Sequence, residues 1–484
     1  MGILLIIFFA VLYGYTLAPT VLWGDSAKLS IYVKEVYLTF DPVGNHMLHT
    51  LFGRFFSLLP VGDFAYRQNL MSALFAIATL SIFYSMMCQI LGDRKSAFLV
   101  SLVLGISHTF WLVSVVNESY IVSLFFFATG FFFLVKWEKT GGDFYLYFHC
   151  FLMGVSLLNN LLSGLMIPAT FLFLLCFDKG RNWLRSFRGA AGFGYFLLGF
   201  SPLVIMAFLP APTRWGGYGW FLRPKEIFSQ SLFYPAYLFY QFPLLGFWFG
   251  GVGAKEMFRK KRCLFWAVLA VLVLDVLFAS GYMRQRRFFL LLPSYFCYAV
   301  WIGFGLKKII ASQRDGKGRV LTTGSLILLI ALPVGLYTAL PEVARRYHID
   351  FVRGRQLVFR DNNLFYLNPV KRDEWGPKEY GMKSLEVVKP GSLIIGDFTP
   401  AMVLLYYQKV EGLRPDVLIT TSIDRYVKSP ERRGELYQWI ARELEKRPVY
   451  IADKEESYYG IEELKKRFDL VPQGPLWEVH HRGT

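Results

Sequence analysis

The feature that most constrains this chain is the recurrence of long apolar runs. A hydrocarbon layer about 30 Å thick is crossed by about 20 apolar residues in a helix. Runs of that kind fall near residues 3–22, 68–91, 96–115, 119–136, 144–158, 161–177, 189–209, 231–250, 263–281, 287–306 and 320–340. Backbone groups in lipid have no water to pair with, so each run is expected to be helical. The pattern predicts an all-α polytopic membrane domain over residues 1–340 with about eleven transmembrane helices. The fifth and sixth runs are short, and the break between them, at Asn159-Asn160, is left open. Composition agrees: the 484 residues are 54% hydrophobic and only 18% charged, where a soluble domain is about a quarter charged. The first run lacks a basic flank and a small-residue cleavage site, so it reads as a retained span.

The formal net charge is +17. In a soluble protein that would suggest nucleic acid; here the excess lies in short loops between apolar runs, and no nucleic-acid partner is expected. Arg94 and Lys95, Lys136 and Lys139, Lys179 to Arg188, Lys255 to Arg262, and Lys307 to Arg319 occupy alternate loops. Positive loops stay cytoplasmic. The N-terminus is then cytoplasmic in a multi-pass plasma-membrane protein. Loop 23–66, the turn at Asn117-Glu118, loop 210–230, segment 282–287 and everything after Leu340 fall outside. Five cysteines in or beside apolar runs show no metal or disulfide spacing.

From Pro341 onward the sequence is polar. Strand-like runs at Ser392–Gly396, Asp416–Thr421 and Val449–Ala452 alternate with helical patterns at 399–411, 430–446 and 460–468. Residues 341–484 are therefore expected to form a small α/β extracytoplasmic domain.

Several polar residues fall on the expected outer face. Asp25, in Trp23-Gly24-Asp25-Ser26, directly follows the first run; it, or Ser26, is either a helix cap or a catalytic group. His46 and His49 crowd the segment after Asp41, as general bases or phosphate contacts or simply as loop polar groups. Glu118 sits in a tight turn between two very apolar runs, where a carboxylate must face water or a partner. His108 can approach the same face, with a satisfied interior histidine as the alternative. Arg284, Arg286 and Arg287 break the charge trend. Their guanidinium forks match phosphate oxygens, although snorkelling arginines under anionic headgroups would look the same. Trp215 suits sugar stacking as well as an interfacial belt. Asp397 and Thr399 stand where a strand ends and a helix begins, as caps. No Walker loop, Rossmann glycine pattern or HExxH motif is present.

These residues together resemble a family. Trp23-Gly24-Asp25-Ser26, Leu51 to Pro60, Arg67 to Leu74, Trp111 with Glu118-Ser119-Tyr120, Pro212 to Gly216 and Tyr406 to Val417 make the chain similar to multi-spanning bacterial and archaeal membrane proteins. Those are related to a eukaryotic transmembrane protein O-mannosyltransferase and belong to the GT-C glycosyltransferase superfamily. The likeness runs over most of the chain. Where that family has His-Pro-Pro-Gly, this chain has Asp41-Pro42-Val43-Gly44; where it has Asn-His, this chain has Asn159-Asn160; its tail motif is reduced to Gly396-Asp397-Phe398.

The resemblance implies transfer of a sugar, mannose among the candidates, from a polyprenyl-phosphate donor to an acceptor hydroxyl on a protein or glycan at the outer face. It implies Asp25 as the catalytic base; Glu118, from its place in the turn, is the second catalytic candidate. From their positions, Arg284, Arg286 and Arg287 are the candidates for the donor phosphate, and His46, His49, His108, Trp215 and Asn160 for substrate contacts. A divalent cation, Mg or Mn, at Asp25 is left open. The competing class is a transporter or flippase, which would want paired halves with interrupted helices at mid-membrane; no half-to-half similarity is visible.

Overall fold

Each of the eleven apolar runs becomes helix in the computed structural model, which describes residues 1–38, 46–208, 224–281, 287–312, 316–352, 356–421, 423 and 430–483. The helices begin α1 (Gly2–Thr16), α2 (Asp25–Glu35), α3 (Met47–Phe56), α4 (Phe64–Leu91), α5 (Arg94–Gly105), α6 (His108–Ser114), α7 (Ser119–Thr140) and α8 (Asp143–Leu157). They continue as α9 (Met166–Leu175), α10 (Asp178–Arg185), α11 (Phe187–Phe208), α12 (Pro224–Ser231), α13 (Tyr234–Gln241), α14 (Leu245–Lys260), α15 (Arg262–Gly281), α16 (Leu292–Ala311) and α17 (Gly316–Arg346). Local chemistry sets the ends. Asp63 caps α4 by accepting from Tyr66 N at 2.7 Å, and Asp93 caps α5 by accepting from Ser96 N at 2.9 Å.

Among the described residues, five single helices have the length and apolarity to cross a bilayer, and two bent pairs raise the number to seven. The expected eleven differs because several runs are interrupted. The run near 96–115 bends by 70° between α5 and α6, and Tyr13 donates its hydroxyl proton to the carbonyl of Gly105 at 2.8 Å at that break. The run near 231–250 breaks at Phe242-Pro243, where proline offers no N–H to continue a helix. Helix α1 is only 15 residues long.

Within the bundle α4 packs on α5 and α7, α7 on α8, α8 on α11, and α14 on α16. The last pair meets backbone to backbone: a Cβ on Gly253 would lie 1.7 Å from the Trp301 carbonyl oxygen. Such close approach is how helices without a hydrophobic driving force gain contact in lipid.

The basic loops gather at one end of the bundle. Lys261 pairs with Glu138 at 3.0 Å, Lys308 with Glu256 at 3.4 Å, and Arg188 with Asp143 at 3.3 Å. Lys307 donates to the Leu91 carbonyl. Helix α7 runs from that end to the opposite one, where it begins beside Glu118.

The tail adds α18 (Asn362–Leu367), α19 (Gly376–Val387), α20 (Phe398–Lys409), α21 (Pro430–Leu444), α22 (Glu456–Tyr459) and α23 (Ile461–Arg467). Its strands are β1 (Leu393–Ile395), β2 (Leu418–Thr420), β3 (Val449–Ile451), β4 (Phe468–Gln473) and β5 (Leu476–His481), in sheet order β2-β1-β3-β5-β4. β1 is parallel to both β2 and β3, pairing Ile394 with Ile419 and with Tyr450. This apolar strand is buried throughout, as a central parallel strand should be. The first three strands match the expected runs. The hairpin β4–β5 was not anticipated; its two-residue turn pairs Gln473 with Leu476.

One face of the sheet carries its own core, in which Ile395, Leu436, Ile451 and Phe468 are buried together. The other shares a core with the loop after α1: Val21, Trp23, Ala27 and Phe64 pack with Tyr380, Leu404 and Tyr406. Helix α2 lies along α20, and Lys409 bridges to Glu35 at 2.8 Å. The tail is thereby placed directly over Asp25.

Candidate active site

Helix α2 begins at Asp25, and its N-cap is Gly24 at φ +65°. That left-handed backbone suits glycine, and it is the backbone rather than crowding that requires it, since a Cβ would rest in ordinary contact with the Phe398 ring at 3.6 Å. Neither Asp25 nor Ser26 caps the helix through its side chain, so the capping alternative does not describe this segment. The Asp25 side chain is 52% exposed and lies 3.5 Å from Lys28 Nζ one turn on.

Asp25 opens into a cavity of about 440 Å³ whose wall also includes Glu118 and Lys371. Asp25 opens α2 and Glu118 is the N-cap of α7, at the same end of the bundle, and Lys371 comes from the tail. Aromatic rings make much of the remaining wall: Trp23, Tyr120, Phe289, Tyr366, Phe398 and Tyr458. Tyr120 and Phe289 lie parallel, with centroids 6.4 Å apart. Phe398, Thr399 and Tyr458 belong to the tail, so the roof of the cavity is built by the α/β part of the chain.

Behind Asp25 runs a buried polar chain. Asn117 donates through Nδ2 to the Ser26 carbonyl at 3.1 Å and to Ser30 Oγ at 3.0 Å. Its Oδ1 accepts from His49 Nε2 at 2.8 Å. His49 N donates to Asn159 Oδ1 at 2.8 Å, and Asn159 Nδ2 donates to Ser119 O and Ser123 Oγ. The chain ties α2, which begins with Asp25, to α7, which begins just after Glu118. Burial holds the His49 imidazole down at about 3, with His46 nearby adding to the effect. The ring is therefore neutral, and because Asn117 Oδ1 can only accept, the proton sits on Nε2.

The other expected contacts lie elsewhere. His46 bonds through Nδ1 with the Asn159 carbonyl at 2.8 Å. His49 is wholly buried. His108 is buried among Tyr240, Tyr337 and Phe288 rather than on the cavity wall. Asn160 caps a short 3₁₀ turn, accepting from Leu162 N at 2.9 Å. Residues 41–45, Trp215, Arg284 and Arg286 lie outside the described residues, as does the side chain of Arg287. The cavity wall does include Phe289 and Leu290, which closely follow that arginine cluster. Asp397 caps α20, accepting from Thr399 N at 3.1 Å and from the Tyr459 hydroxyl at 2.9 Å. Lys371, Tyr366 and Tyr458 were not singled out from sequence. No motif marks them, because their place depends on the tail folding back.

Residues 42–183 match the sequence profile of the protein O-mannosyl-transferase TMEM260 N-terminal domain. The crystal structure of ArnT from Cupriavidus metallidurans bound to undecaprenyl phosphate superposes with a TM-score of 0.58 at 12% identity, covering 99% of this chain and 97% of that one. The apo state of the same protein gives 0.55, with the same identity and coverage. The chain therefore shares the fold of ArnT, and over residues 42–183 it is similar to the TMEM260 N-terminal domain. The profile match begins past Asp25, takes in His49, Asn117, Glu118 and Asn159, and ends before the tail. The fold match, by contrast, takes in the tail as well.

Proposed function

We propose that the chain is a membrane glycosyltransferase that moves a sugar from a polyprenyl-phosphate donor to an acceptor hydroxyl at the non-cytoplasmic face. The observation that carries this reading is the convergence of Asp25 and Glu118 on one aromatic-lined cavity, at the end of the bundle away from the basic loops. The segment that binds lipid-linked sugar must be reachable from the bilayer and from water, and a cavity between helix ends and a polar roof satisfies both. The partial profile match to an O-mannosyl-transferase makes mannose the first sugar to test. The undecaprenyl phosphate bound to ArnT makes a polyprenyl carrier the first donor class.

In this reading Asp25 takes the acceptor's hydroxyl proton as that oxygen attacks the anomeric carbon. A single displacement inverts the sugar. Charge grows on the leaving phosphate, which fixed cations stabilise; Arg284, Arg286 and Arg287 precede the cavity-lining Phe289 and are assigned that role. Glu118 orients the sugar by accepting from its hydroxyls. The aromatic wall stacks on the apolar faces of the pyranose and excludes water. Residues 1–340 then form the catalytic membrane domain, with the N-terminus cytoplasmic. Residues 341–484 form an extracytoplasmic α/β domain that roofs the site and meets the protein or glycan acceptor.

A divalent cation suits the donor set. Asp25 and Glu118 offer carboxylate oxygens on one cavity, and Mg is often held by one or two carboxylates plus substrate phosphate and water. Such an ion would neutralise charge on the leaving phosphate. Among the described residues no group of three His, Cys, Asp or Glu side chains forms a complete cage.

The test is a donor screen on purified full-length protein with a panel of polyprenyl-phosphate sugars and acceptor peptides and glycans. Sugar transfer that Asp25→Asn abolishes supports the reading; solute movement across reconstituted vesicles with no transfer from any donor would replace it with transport.

A further inference from the structure

Among the described residues the cation on the cavity wall, Lys371, comes from the tail. Lys371 lies four residues past the end of α18 and is 2% exposed. It is fixed at both ends. Its backbone N–H donates to the Thr16 carbonyl, the last residue of α1, at 3.0 Å. Its ammonium donates to the Asn368 carbonyl and sits 5.2 Å from the centre of the Phe365 ring. An ammonium carries three N–H donors. Asn368 takes one, and Glu374, the carboxylate that acts on it, forms no ion pair with it within 4 Å among the described residues. Glu374 acts on this buried charge from outside ion-pair distance, so an ammonium held that deep on a cavity wall still has donors that an anion in the cavity would satisfy.

We propose that Lys371 holds the phosphate of the polyprenyl-phosphate donor, so that the tail supplies part of the donor site. This rests on the glycosyl-transfer reading above and names a residue of that same site. As the bond from the anomeric carbon to the phosphate oxygen breaks, its electron pair stays on the phosphate. The acceptor oxygen forms the new bond to carbon and passes its proton to Asp25. Lys371 gives and takes no proton; its charge offsets the one that grows on the leaving group. The tail lysine therefore couples catalysis to the seating of residues 356–421 over the bundle, because Thr16 and Asn368 aim it.

Burial lowers the Lys371 ammonium to about 8, with Glu374 offsetting part of the effect. Glu374 and His108 are the nearby titratable groups whose charges couple to it, with Asp25 and Glu118 on the same wall. Arg360 and Asp361 act on Glu374 in turn. A lysine in that state loses its charge just above neutrality when no anion is bound, whereas arginine does not.

The experiment measures binding of undecaprenyl phosphate, undecaprenol and inorganic phosphate to the purified full-length protein between pH 7 and pH 9.5. Losing one charge-assisted contact should weaken undecaprenyl phosphate by about tenfold or more in Lys371→Gln, with undecaprenol unchanged. Lys371→Arg should bind within about threefold of wild type and lose the weakening that wild type shows above pH 8. Wild-type affinity for the lipid phosphate in a folded Lys371→Gln overturns the proposal. So does a pH profile in Lys371→Arg that still follows wild type, a readout that survives even if the glutamine variant misfolds. Inorganic phosphate competing as strongly as the lipid phosphate would assign a free-phosphate site and overturn the lipid assignment. The two readings fail separately. Lipid-phosphate binding that needs Lys371, with no sugar transfer from any donor, sinks the enzyme reading alone; transfer at full rate by Lys371→Gln sinks only the lysine.

Discussion

The two ends of the helical bundle use the same charged residue types in opposite ways. At the basic end, cations are matched to partners in neighbouring loops: Lys261 to Glu138, Lys260 and Lys308 both to Glu256, and Lys307 to the Leu91 carbonyl. These contacts join the ends of α4, α7, α14 and α16 and the linker residue Lys261. At the other end Asp25, Glu118 and Lys371 share a cavity wall, and among the described residues Asp25 forms an ion pair with Lys28 of its own helix. Charge that staples helices faces protein; charge that faces a cavity is available to a ligand. Substitutions at the two ends should therefore differ in kind, activity at one and little but stability at the other.

The largest effect is expected at Asp25. Asp25→Asn keeps the shape of the side chain and the start of α2 but removes the base, and loss of a general base costs about 10²- to 10⁴-fold in rate. The thermal midpoint should stay within about a degree, because the side chain is half exposed and its ion pair is weak. Transfer rate and thermal unfolding measured on one preparation check both halves. A drop in stability with rate retained would move Asp25 to the structural side of the comparison.

Glu118→Gln comes next. A carboxylate that orients a sugar rather than accepting its proton contributes through charge-assisted hydrogen bonds, about 1.5–3 kcal/mol each. The expected outcome is a fall of about ten- to a hundredfold in kcat/KM, carried mainly by KM, in steady-state kinetics with a saturating acceptor. A loss as deep as that of Asp25→Asn, confined to kcat, would instead make Glu118 a second proton-transfer group.

How much of this was visible in the sequence depends on what each residue had to contrast with. Asp25 and Glu118 stood out because an acidic side chain beside apolar runs is costly without a purpose. His46 and His49 stood out equally but serve a different end. A histidine in a polar loop reads the same whether it faces a cavity or closes a buried chain, and only the position of Asn117 and Asn159 tells which. Lys371 had no contrast at all, being one cation in a polar tail; its meaning comes from the docking of Thr16 against it. The same holds for the membrane runs. Apolarity located all eleven segments, yet the bend between α5 and α6 and the break at Pro243 are set by packing and by a missing N–H, which a length rule does not weigh. The β4–β5 hairpin escaped because Pro472 and Asp469 interrupt the strand pattern of its first arm.

The buried chain behind Asp25 sharpens the comparison through pH. His49 sits far below its ordinary value, at about 3, so the folded state favours the neutral ring. A group depressed in this way contributes stability that is present above about pH 6.5 and is lost as pH falls below it, since the unfolded chain gains a proton that the folded chain refuses. Thermal midpoints should therefore decline between pH 7 and pH 5. His49→Gln, which keeps a donor for Asn117, should flatten that decline while lowering the midpoint at pH 7 only modestly, by the about 1 kcal/mol of one imperfect hydrogen bond. An unchanged slope in that variant would place the acid-sensitive group elsewhere.

The smallest effect is expected at the basic end, and it is the control on everything above. Lys261 is 40% exposed and Glu138 15% exposed. A pair of that kind contributes about 0–1 kcal/mol, because water and salt screen the lysine and the long side chain loses entropy in holding one geometry. Lys261→Met should leave transfer within about twofold and shift stability by less than about 1 kcal/mol, with the double variant carrying Glu138→Gln no worse than the sum of the singles. Glu138 is the more buried partner, so Glu138→Gln alone can cost slightly more than Lys261→Met. The measurement is a double-mutant cycle on thermal or denaturant unfolding in detergent, run beside the transfer assay. A loss of activity at this end comparable to that of Glu118→Gln would mean that the two ends communicate through α7, whose first residue follows Glu118 and whose last turn contains Glu138. Helix α7 would then be a lever rather than a strut, and the division of charge between stapling and ligand binding would no longer hold.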